Sequence, residues 1–324
     1  MATKEIKTIG VLTSGGDAPG MNAAIRALVR SAVYENKEVL GIRNGYTGIF
    51  NEDAMNMDLS SVADIIHKGG TILGTSRSEK MRTEEGLIEA KKHLDAMNIE
   101  HLVVIGGDGS MHGALALSKL GQSVITIPAT IDNDLGYQHG SIGFYTAIET
   151  ILDAIGKIRD TSSAHKRANI VEVMGRHCGD LALYAGIAGG AESVILPEVD
   201  FDFDGVKKKM LAGKLRGKRH HIILLTEDKL SAYALAKDLE EATGIETRVT
   251  VLGYVQRGGI PTGADRINAS RLGAEAITYC RGDKKSLALG FIHGELKAMD
   301  LEEALAVEKT FDRDMYHLLD KISI

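Results

Sequence analysis

The stretch Val124-Ile125-Thr126-Ile127-Pro128-Ala129-Thr130-Ile131-Asp132-Asn133-Asp134 joins an apolar, β-branched run to a loop with two carboxylates. The run before Pro128 is typical of a buried parallel strand, and in open α/β sheets ligands bind beyond the carboxyl ends of such strands. In an extended loop, Asp132 and Asp134 would project to one side about 7 Å apart. Carboxylates that close repel unless a cation or a proton lies between them, which is consistent with a cation site. An Asx-rich turn is the alternative, because Asp-Asn-Asp is also good turn chemistry.

The composition indicates a folded chain. At 324 residues and 44% hydrophobic content, it can bury the cores of about two domains. The start, Met1–Lys7, runs straight into a predicted strand and lacks the apolar core of a signal peptide, and no apolar run is long enough to span a membrane. Cys178 and Cys280 alone indicate neither a disulfide framework nor a zinc site. We expect a cytoplasmic protein without a membrane partner.

The charge balance excludes one class of partner. A net charge of −6 is unsuited to non-specific nucleic-acid binding, which depends on lysine and arginine neutralising phosphates. The basic runs Lys207–Lys209 and Arg216–His221 are typical of solvated faces. We therefore expect a small-molecule partner and no nucleic acid.

The chain opens as a strand, a glycine loop and a helix. Thr8–Thr13 is predicted as the strand, Ser14–Gly20 as the loop and Met21–Tyr34 as the helix, from the apolar spacing. Consecutive glycines let the main chain approach a ligand closely, and the helix offers amide hydrogens to an anion. The loop is not GxGxxG, so a dinucleotide fingerprint is not supported.

The same order recurs later in the first half of the chain. Leu102–Ile105 is predicted as a buried strand, Gly106–Ser110 as its loop and Met111–Leu120 as a helix. This order favours a phosphate cradle, in which backbone amides face the anion and Asp108 holds the accompanying cation. Simple chain punctuation is the alternative.

Further elements follow from periodicity and turn signals. Thr83–Met97 is predicted as an amphipathic helix with Thr83 as its N-cap. Tyr46 is interpreted as half-exposed, where it could stack on a base or fill a gap in the packing. The other predicted elements are a strand at 39–42, a helix near 61–67, a long core helix at 143–159 ending in a surface loop at 160–167, strands at 170–173, 194–196, 222–225 and 287–291, a run at 247–255, helices at 180–188, 205–215, 232–243 and 264–279, and a terminal helix. The alternation after 167 implies a second α/β unit.

Together the loops supply glycine cradles, carboxylates and arginines. That inventory suits phosphoryl transfer, which needs positioning and charge stabilisation more than covalent chemistry. Arginines outside the nucleotide loops fit a second anionic substrate. No GxxxxGK[ST] loop and no HRD or DFG pattern is present, so P-loop and protein-kinase chemistry do not fit.

Five blocks in register resemble the ATP-dependent 6-phosphofructokinase family of bacterial type. They are Thr13–Asn22, Gly106–Ser110, Pro128–Asp134, Val171–Arg176 and Leu252–Gly259. The resemblance implies an α/β fold of two doubly wound, mainly parallel sheet domains. It implies a nucleotide-binding domain from residues 1–142 plus 255–305, and a sugar-phosphate domain from residues 143–254 plus 306–324.

The resemblance also implies an activity: transfer of the γ-phosphate of MgATP to the 1-hydroxyl of fructose 6-phosphate, in glycolysis. Asp132 is then the general base, and Asp108 and Asp134 serve Mg²⁺. Charge stabilisation falls to Thr130, Arg77 and Arg176, of which Thr130 and Arg77 contact the transferring phosphoryl. The implied ATP site consists of Gly16, Tyr46, Arg77, Ser78, Gly107, Asp108, Gly109 and Ser110.

The implied sugar site lies in the second half of the chain. Arg167 and Arg248 match family arginines that reach the sugar phosphate from a neighbouring subunit, which implies an oligomer, a tetramer in this family. The implied sugar-binding residues are Thr130, Asp132, Arg167, Met174, Gly175, Arg176, Glu227, Arg248, Tyr254 and Arg257. Tyr254 departs from the family, which usually has a histidine that donates to the 6-phosphate.

An effector cleft is implied by further matches, with ADP or GDP as activators and phosphoenolpyruvate as inhibitor. Its residues are Arg26, Arg30, Arg159, Glu192, Arg216, Lys218 and Arg219. Leu59 stands where effector-regulated members tend to have an arginine, which implies weakened regulation.

Two further hypotheses stay open. Pyrophosphate-using relatives resemble one another in having lysine at the position of Ala129 and aspartate at that of Gly109, so the residues present here favour ATP as the donor. A sugar-phosphate-sensing subunit without turnover is the other alternative, which the intact Asp108, Asp132, Asp134 and Arg176 disfavour.

Overall fold

The computed structural model describes residues 8–281 and 285–323, so the expected lead-in at Met1–Lys7 lies outside the described residues. The chain divides into two compact units. The first contains the residues up to Thr130, Leu135–Tyr145 and Arg257–Lys309, and the second contains Ile131–Asp134, Thr146–Gln256 and Thr310 onward.

The first unit is built on a seven-stranded sheet with the order β11-β10-β5-β4-β1-β2-β3. Its strands are β1 (Thr8–Ser14), β2 (Val39–Ile42), β3 (Ala54–Met57), β4 (Ile99–Gly106), β5 (Ser123–Pro128), β10 (Ser286–Ile292) and β11 (Glu295–Asp300). All neighbours pair in parallel except the two edges, β2 with β3 and β10 with β11. Gly106 pairs with both Ser14 and Pro128, so the carboxyl ends of β1, β4 and β5 are level.

Amphipathic helices bury their apolar stripes against this sheet. They are α1 (Met21–Tyr34), α2 (Gly45–Phe50), α3 (Glu84–Ala96), α4 (Asp108–Lys119), α9 (Gly263–Tyr279) and α10 (Leu301–Ala306). One core cluster contains Leu12, Ile42, Leu94, Leu102 and Met111, all at most 3% exposed. As predicted, Thr83 caps α3, because its hydroxyl accepts from the amide of Gly86 at 3.1 Å.

The second unit has a four-stranded, wholly parallel sheet with the order β7-β8-β6-β9. Its strands are β6 (Ala168–Val173), β7 (Ser193–Ile195), β8 (His221–Thr226) and β9 (Thr247–Val251). The accompanying helices are α5 (Phe144–His165), α6 (Asp180–Gly189), α7 (Phe203–Leu215), α8 (Ala232–Thr243) and α11 (Arg313–Ile322). Two α/β units with mainly parallel sheets confirm the predicted fold class.

The helix predicted near residues 61–67 is wrong. This segment forms turns, in which the Asp58 carboxylate accepts from both the amide and the hydroxyl of Ser61 at 2.8 Å. Asp64 has a φ of 52°, which a right-handed helix does not allow. Side-chain hydrogen bonding to the local backbone therefore outcompetes the helix.

The surface loop predicted at residues 160–167 is also wrong. Helix α5 continues through this polar run to His165 and ends where Lys166 takes a φ of 57°. Ser162 within the run is 3% exposed. The run contains no Gly or Pro to break the helix, so its polarity alone misled the prediction.

Other differences lie at the edges. Sequence reasoning missed α2 and the antiparallel strands β3 and β11, and two short helices, α10 and α11, replace the one predicted terminal helix. His221, expected on a solvated face, begins β8 and is 4% exposed. Within residues 8–281 and 285–323, none of the helices has the length and apolarity needed to cross a membrane.

Candidate active site

The loop after β4 begins a helix earlier than predicted. Helix α4 starts at Asp108, not at Met111, with Gly107 as its N-cap residue. Asp108, Gly109 and Ser110 therefore form the first helical turn, where the first amide hydrogens lack partners within the helix, although that of Ser110 donates to the Gly107 carbonyl oxygen at 3.0 Å. This geometry is the anion-binding end of a helix.

Glycines allow the loops after β1, β4 and β5 to approach closely. A Cβ on Gly107 would lie 3.2 Å from the Cβ of Thr130, and one on Gly106 would lie 2.5 Å from the Ser14 carbonyl oxygen. At Gly15 (φ 84°), a Cβ would meet the Ser110 hydroxyl at 3.0 Å. The three predicted loops thus come together in the first unit.

Tyr46 lies beneath this cradle. The prediction that it is half-exposed is wrong, because it is 4% exposed and its hydroxyl donates to the Ser110 carbonyl oxygen at 2.6 Å. A Cβ on Gly113 would lie 3.0 Å from its ring, and burial raises the pKa of Tyr46. The ring supports the first turn of α4 and leaves no face for base stacking.

Arg77 and Ser78 belong to a loop that is tied to the same cradle. The Thr75 hydroxyl donates to the Gly15 carbonyl oxygen and the Thr13 hydroxyl to that of Gly74, both at 2.8 Å. The Arg77 side chain is exposed at the end of this anchored segment. This arrangement presents one arginine beside the glycine loops.

Arg257, predicted to grip the sugar phosphate, lies against Gly16. A Cβ on Gly16 would be 3.2 Å from the Arg257 guanidinium carbon. Both residues belong to the first unit. Glycine at position 16 therefore leaves room for this arginine as well as for a ligand.

The loop with the two carboxylates is bent. The expectation that it is extended is wrong, because Asn133 has a φ of 54°. Asp132 is 6% exposed, and its Oδ2 lies 4.0 Å from Nε of Arg176. The Arg176 guanidinium therefore lies close to this buried carboxylate.

The segment after β6 is fixed by two side chains. The Glu227 carboxylate accepts from the amides of Gly175 and Arg176, both at 3.3 Å, and Gln256 accepts from the amide of Met174 at 3.2 Å. Arg176 has a φ of 52°, so these bonds hold a strained turn. Sequence reasoning gave no role to Gln256, which is fully buried. The signal that could have found it is its place within the glycine-rich block Leu252–Gly259.

Carboxylates accumulate around this turn. Burial, together with the nearby Glu227 and Asp228 carboxylates, raises the pKa of Glu172 on β6. Three carboxylates, Glu172, Glu227 and Asp228, therefore lie near one another here. An anionic sugar bound at this turn would depend on arginines for its affinity.

Arg167 and Arg248 are brought together by a residue that sequence reasoning missed. Arg167 Nε donates to Glu246 Oε2 at 2.5 Å, and Arg248 pairs with the other carboxylate oxygen. The hydrogen bond from Arg167 lowers the pKa of Glu246. Tyr254, on the 3₁₀ segment Gly253–Arg257, is 78% exposed.

Part of the predicted effector set clusters in the second unit. Lys218 Nζ lies 2.6 Å from Oε1 of the buried Glu192, and Arg159 donates to the Gly190 carbonyl oxygen at 3.3 Å. Arg216 and Arg219 are exposed on either side of Lys218. Arg26, Arg30 and Leu59 lie in the first unit, with Arg26 and Arg30 one helical turn apart on α1.

The carboxylates fit Mg²⁺ in their chemistry. The Asp108 side chain is 54% exposed at the start of α4, and Asp134 is partly exposed. Among residues 8–281 and 285–323, no group of three or more His, Cys, Asp or Glu side chains could hold a metal ion. Mg²⁺ bound with a nucleotide needs only one or two carboxylates besides the phosphates, so the fit stands.

Comparisons with known proteins agree on one family. The phosphofructokinase family profile matches residues 8–280. The chain is 56% identical over 319 residues to an ATP-dependent 6-phosphofructokinase of Alkaliphilus metalliredigens (strain QYMF), covering 98% of this chain and 100% of the relative. It is 54% identical over 318 residues to the enzyme of the same name from Clostridium botulinum (strain Loch Maree / Type A3), again covering 98% and 100%.

The fold comparison agrees. A structure of phosphofructokinase from Saccharomyces cerevisiae superposes with a TM-score of 0.87 at 31% identity, covering 97% of this chain. The chain spans 50% of the length of that yeast chain.

Proposed function

The chain belongs to the phosphofructokinase family, and we propose that it phosphorylates fructose 6-phosphate at the 1-hydroxyl with MgATP, giving fructose 1,6-bisphosphate and ADP. The observation that carries this proposal is the buried Asp132 carboxylate, 4.0 Å from the Arg176 guanidinium. Identity of 56% over the full length of an ATP-dependent 6-phosphofructokinase supports the same reaction. We assign the first unit to the nucleotide and the second to the sugar phosphate.

Asp132 is the general base. As the oxygen of the 1-hydroxyl bonds to the γ-phosphorus, its proton passes to the Asp132 carboxylate, and the bond between the γ-phosphorus and the bridging oxygen of ADP breaks. Thr130, Arg77 and Arg176 stabilise the charge that develops on the transferring phosphoryl group. Asp108 and Asp134 would hold Mg²⁺, which would neutralise charge on the phosphate oxygens when bound.

The ATP phosphates bind at the start of α4. The amides of Gly107, Asp108 and Gly109 at this helix end bind the anion, whereas the Ser110 amide donates to the Gly107 carbonyl oxygen at 3.0 Å, and Gly16 lets the nucleotide approach the loop after β1. Ser78 lines the same site beside Arg77. Tyr46 contributes indirectly, by supporting Ser110 through the 2.6 Å hydrogen bond to its carbonyl oxygen.

The sugar phosphate binds at the turn after β6. Met174, Gly175, Arg176 and Glu227 hold the sugar, and Arg257 and Tyr254 hold its 6-phosphate. Arg167 and Arg248 serve the site of a neighbouring subunit, so the working form is a homo-oligomer, a homotetramer. Their shared Glu246 keeps both guanidinium groups on one surface, which supports a joint role.

Regulation and location follow from the same assignment. ADP or GDP, and phosphoenolpyruvate, are the effectors. The effector residues in the second unit are Arg159, Glu192, Arg216, Lys218 and Arg219, and those in the first unit are Arg26 and Arg30. The enzyme works in the cytoplasm, in glycolysis.

A coupled assay tests this function. Fructose 6-phosphate is offered with either ATP or pyrophosphate, and aldolase with NADH-linked enzymes reports fructose 1,6-bisphosphate. We expect turnover with ATP and none with pyrophosphate. Turnover with pyrophosphate but not with ATP would show that pyrophosphate is the phosphoryl donor. Binding of fructose 6-phosphate without product would show that the protein senses the sugar phosphate and does not turn it over.

A further inference from the structure

Asn133, between the two carboxylates of the catalytic loop, is bonded to a second buried acid. Its Nδ2 donates to Oδ2 of Asp180 at 2.7 Å. Asn133 is 3% exposed and Asp180 is 5% exposed. Because this hydrogen bond has a charged acceptor and little competing water, it belongs to the stronger class of protein hydrogen bonds.

The bond also fixes an unusual backbone conformation. Asn133 has a φ of 54°, in the left-handed region that asparagine tolerates better than most residues. A residue in this backbone conformation turns the chain between Asp132 and Asp134. Anchoring the Asn133 amide therefore fixes the directions of both neighbouring carboxylates.

The acceptor stands on a rigid support. Asp180 is the first residue of α6, where the helix dipole favours a negative charge. The preceding Gly179 amide donates to Glu198 Oε1 at 2.7 Å, and the Cys178 thiol lies 3.8 Å from the Asn133 carbonyl oxygen. Asp180 and the nearby Cys178 thus both contact Asn133, the residue between the two carboxylates.

We infer that Asp180 is a positioning residue for phosphoryl transfer, acting through Asn133 to orient Asp132 and Asp134. This inference rests on the proposed function, in which those two residues are the base and a magnesium ligand. Proton transfer depends steeply on geometry, and a 1 Å displacement of a catalytic group costs up to about 10²-fold in rate. The effect of losing the bond should therefore fall on kcat.

The decisive variant is Asn133→Gly, because glycine keeps the left-handed conformation and removes only the amide. We expect kcat to fall about 10- to 100-fold while KM for ATP stays within about twofold. Asn98→Gly is the matched control, since Asn98 also has a positive φ, 57°, and is exposed. The control should keep the wild-type kcat.

Exchanging the hydrogen-bond donor and acceptor between positions 133 and 180 distinguishes a positioning role from a purely stabilising one. Asn133→Asp sets two carboxylates against each other and should lower kcat at least as much as Asn133→Gly. Adding Asp180→Asn restores one donor and one acceptor in exchanged places, and should recover about tenfold of that loss. A purely structural role would instead change the unfolding midpoint and leave kcat per folded enzyme unchanged.

Two results overturn the inference: an Asn133→Gly kcat within about threefold of wild type, or an exchange variant no faster than Asn133→Asp. If an Asp180 variant does not fold, Asn133→Gly alone decides. Wild-type turnover with ATP is measured in parallel, so that its absence marks failure of the proposed function, whereas full activity in Asn133→Gly marks failure of the positioning role alone.

Discussion

Tyr254, which we propose holds the 6-phosphate, is exposed. A histidine beside a phosphate adds a charged donor, and charged hydrogen bonds exceed neutral ones by about 1 kcal/mol. We predict that Tyr254→His lowers KM for fructose 6-phosphate about fivefold at pH 6, and by less at pH 8, where imidazole is neutral. Steady-state kinetics at both pH values measure this, with Tyr254→Phe as the variant that loses the donor. An unchanged KM at both pH values would show that residue 254 does not contact the phosphate.

We propose that Gly109 favours ATP as the phosphoryl donor. A Cβ at this position would meet nothing within 4 Å, so a side chain is sterically allowed. We predict that Gly109→Asp raises KM for ATP at least about tenfold, because the carboxylate repels the phosphates at the start of α4. Gly109→Asn is the neutral control of equal size, and both variants should unfold at the wild-type temperature. Equal KM values for the two variants would place the phosphates elsewhere.

For some residues of the site the sequence predicted the structural role, and for others it did not. Gly107 was predictable because a glycine between a strand and a helix is a local signal of a ligand-binding loop, and the structure adds that a Cβ there would lie 3.2 Å from that of Thr130. The burial of Tyr46 was not predictable, because it depends on Ser110, which is 64 positions away along the chain. Gln256 and Glu246 were missed for the same reason, since their partners Met174 and Arg167 lie 82 and 79 positions away along the chain.

At the scale of elements, the N-cap of α3 is a local feature that the sequence predicted. Thr83→Ala removes the hydroxyl that accepts from the Gly86 amide. We predict a loss of about 1 kcal/mol in the free energy of unfolding, measured by urea titration with circular dichroism. Thr83→Ser keeps the acceptor and should stay close to wild type. Equal stability of the alanine and serine variants would contradict the capping role.

Element boundaries were predicted where chemistry is local and missed where tertiary contacts decide. Helix α1 has the predicted bounds, because glycine and apolar spacing mark them in the sequence. Helix α5 runs through a polar stretch in which Ser162 is buried, and polarity is a poor guide to a helix end. The edge strands β3 and β11 exist because a neighbouring strand pairs with them, which no periodicity records.

At the scale of the whole molecule, a buried histidine makes stability depend on pH. Burial lowers the pKa of His221 to about 4 against the opposing effect of Glu192, with smaller contributions from Lys218 and Lys209. The unfolded chain therefore binds a proton between pH 6.5 and pH 4 that the folded chain does not. We predict constant stability from this group above pH 6.5, and a loss of up to about 1.4 kcal/mol per pH unit as the pH falls through that window.

Urea titrations at pH 7, 6 and 5 measure the slope. His221→Gln should flatten it relative to wild type, whereas His165→Gln, a change of an exposed histidine at the end of α5, should leave it unchanged. Equal slopes for wild type and His221→Gln would contradict this account of His221.

The two-unit α/β organisation was predictable because strand and helix patterns alternate along the chain. The strand order was not, because β10 and β11 return from the end of the chain to extend the first sheet. The strand order nonetheless determines where the site forms. Because β1, β4 and β5 are neighbours, the loops at their carboxyl ends lie side by side. Sequence alone located the loops, and the topology decided which of them meet.

The central claim is that the Asp132 carboxylate takes the proton from the sugar hydroxyl. The kcat of Asp132→Asn with saturating ATP and fructose 6-phosphate tests it most directly, because asparagine keeps the shape and removes the basic group. A fall of about 10²- to 10⁴-fold with little change in either KM is predicted, while Asp153→Asn, an exposed carboxylate change on α5, keeps the wild-type rate. A kcat for Asp132→Asn equal to that of wild type would contradict the account.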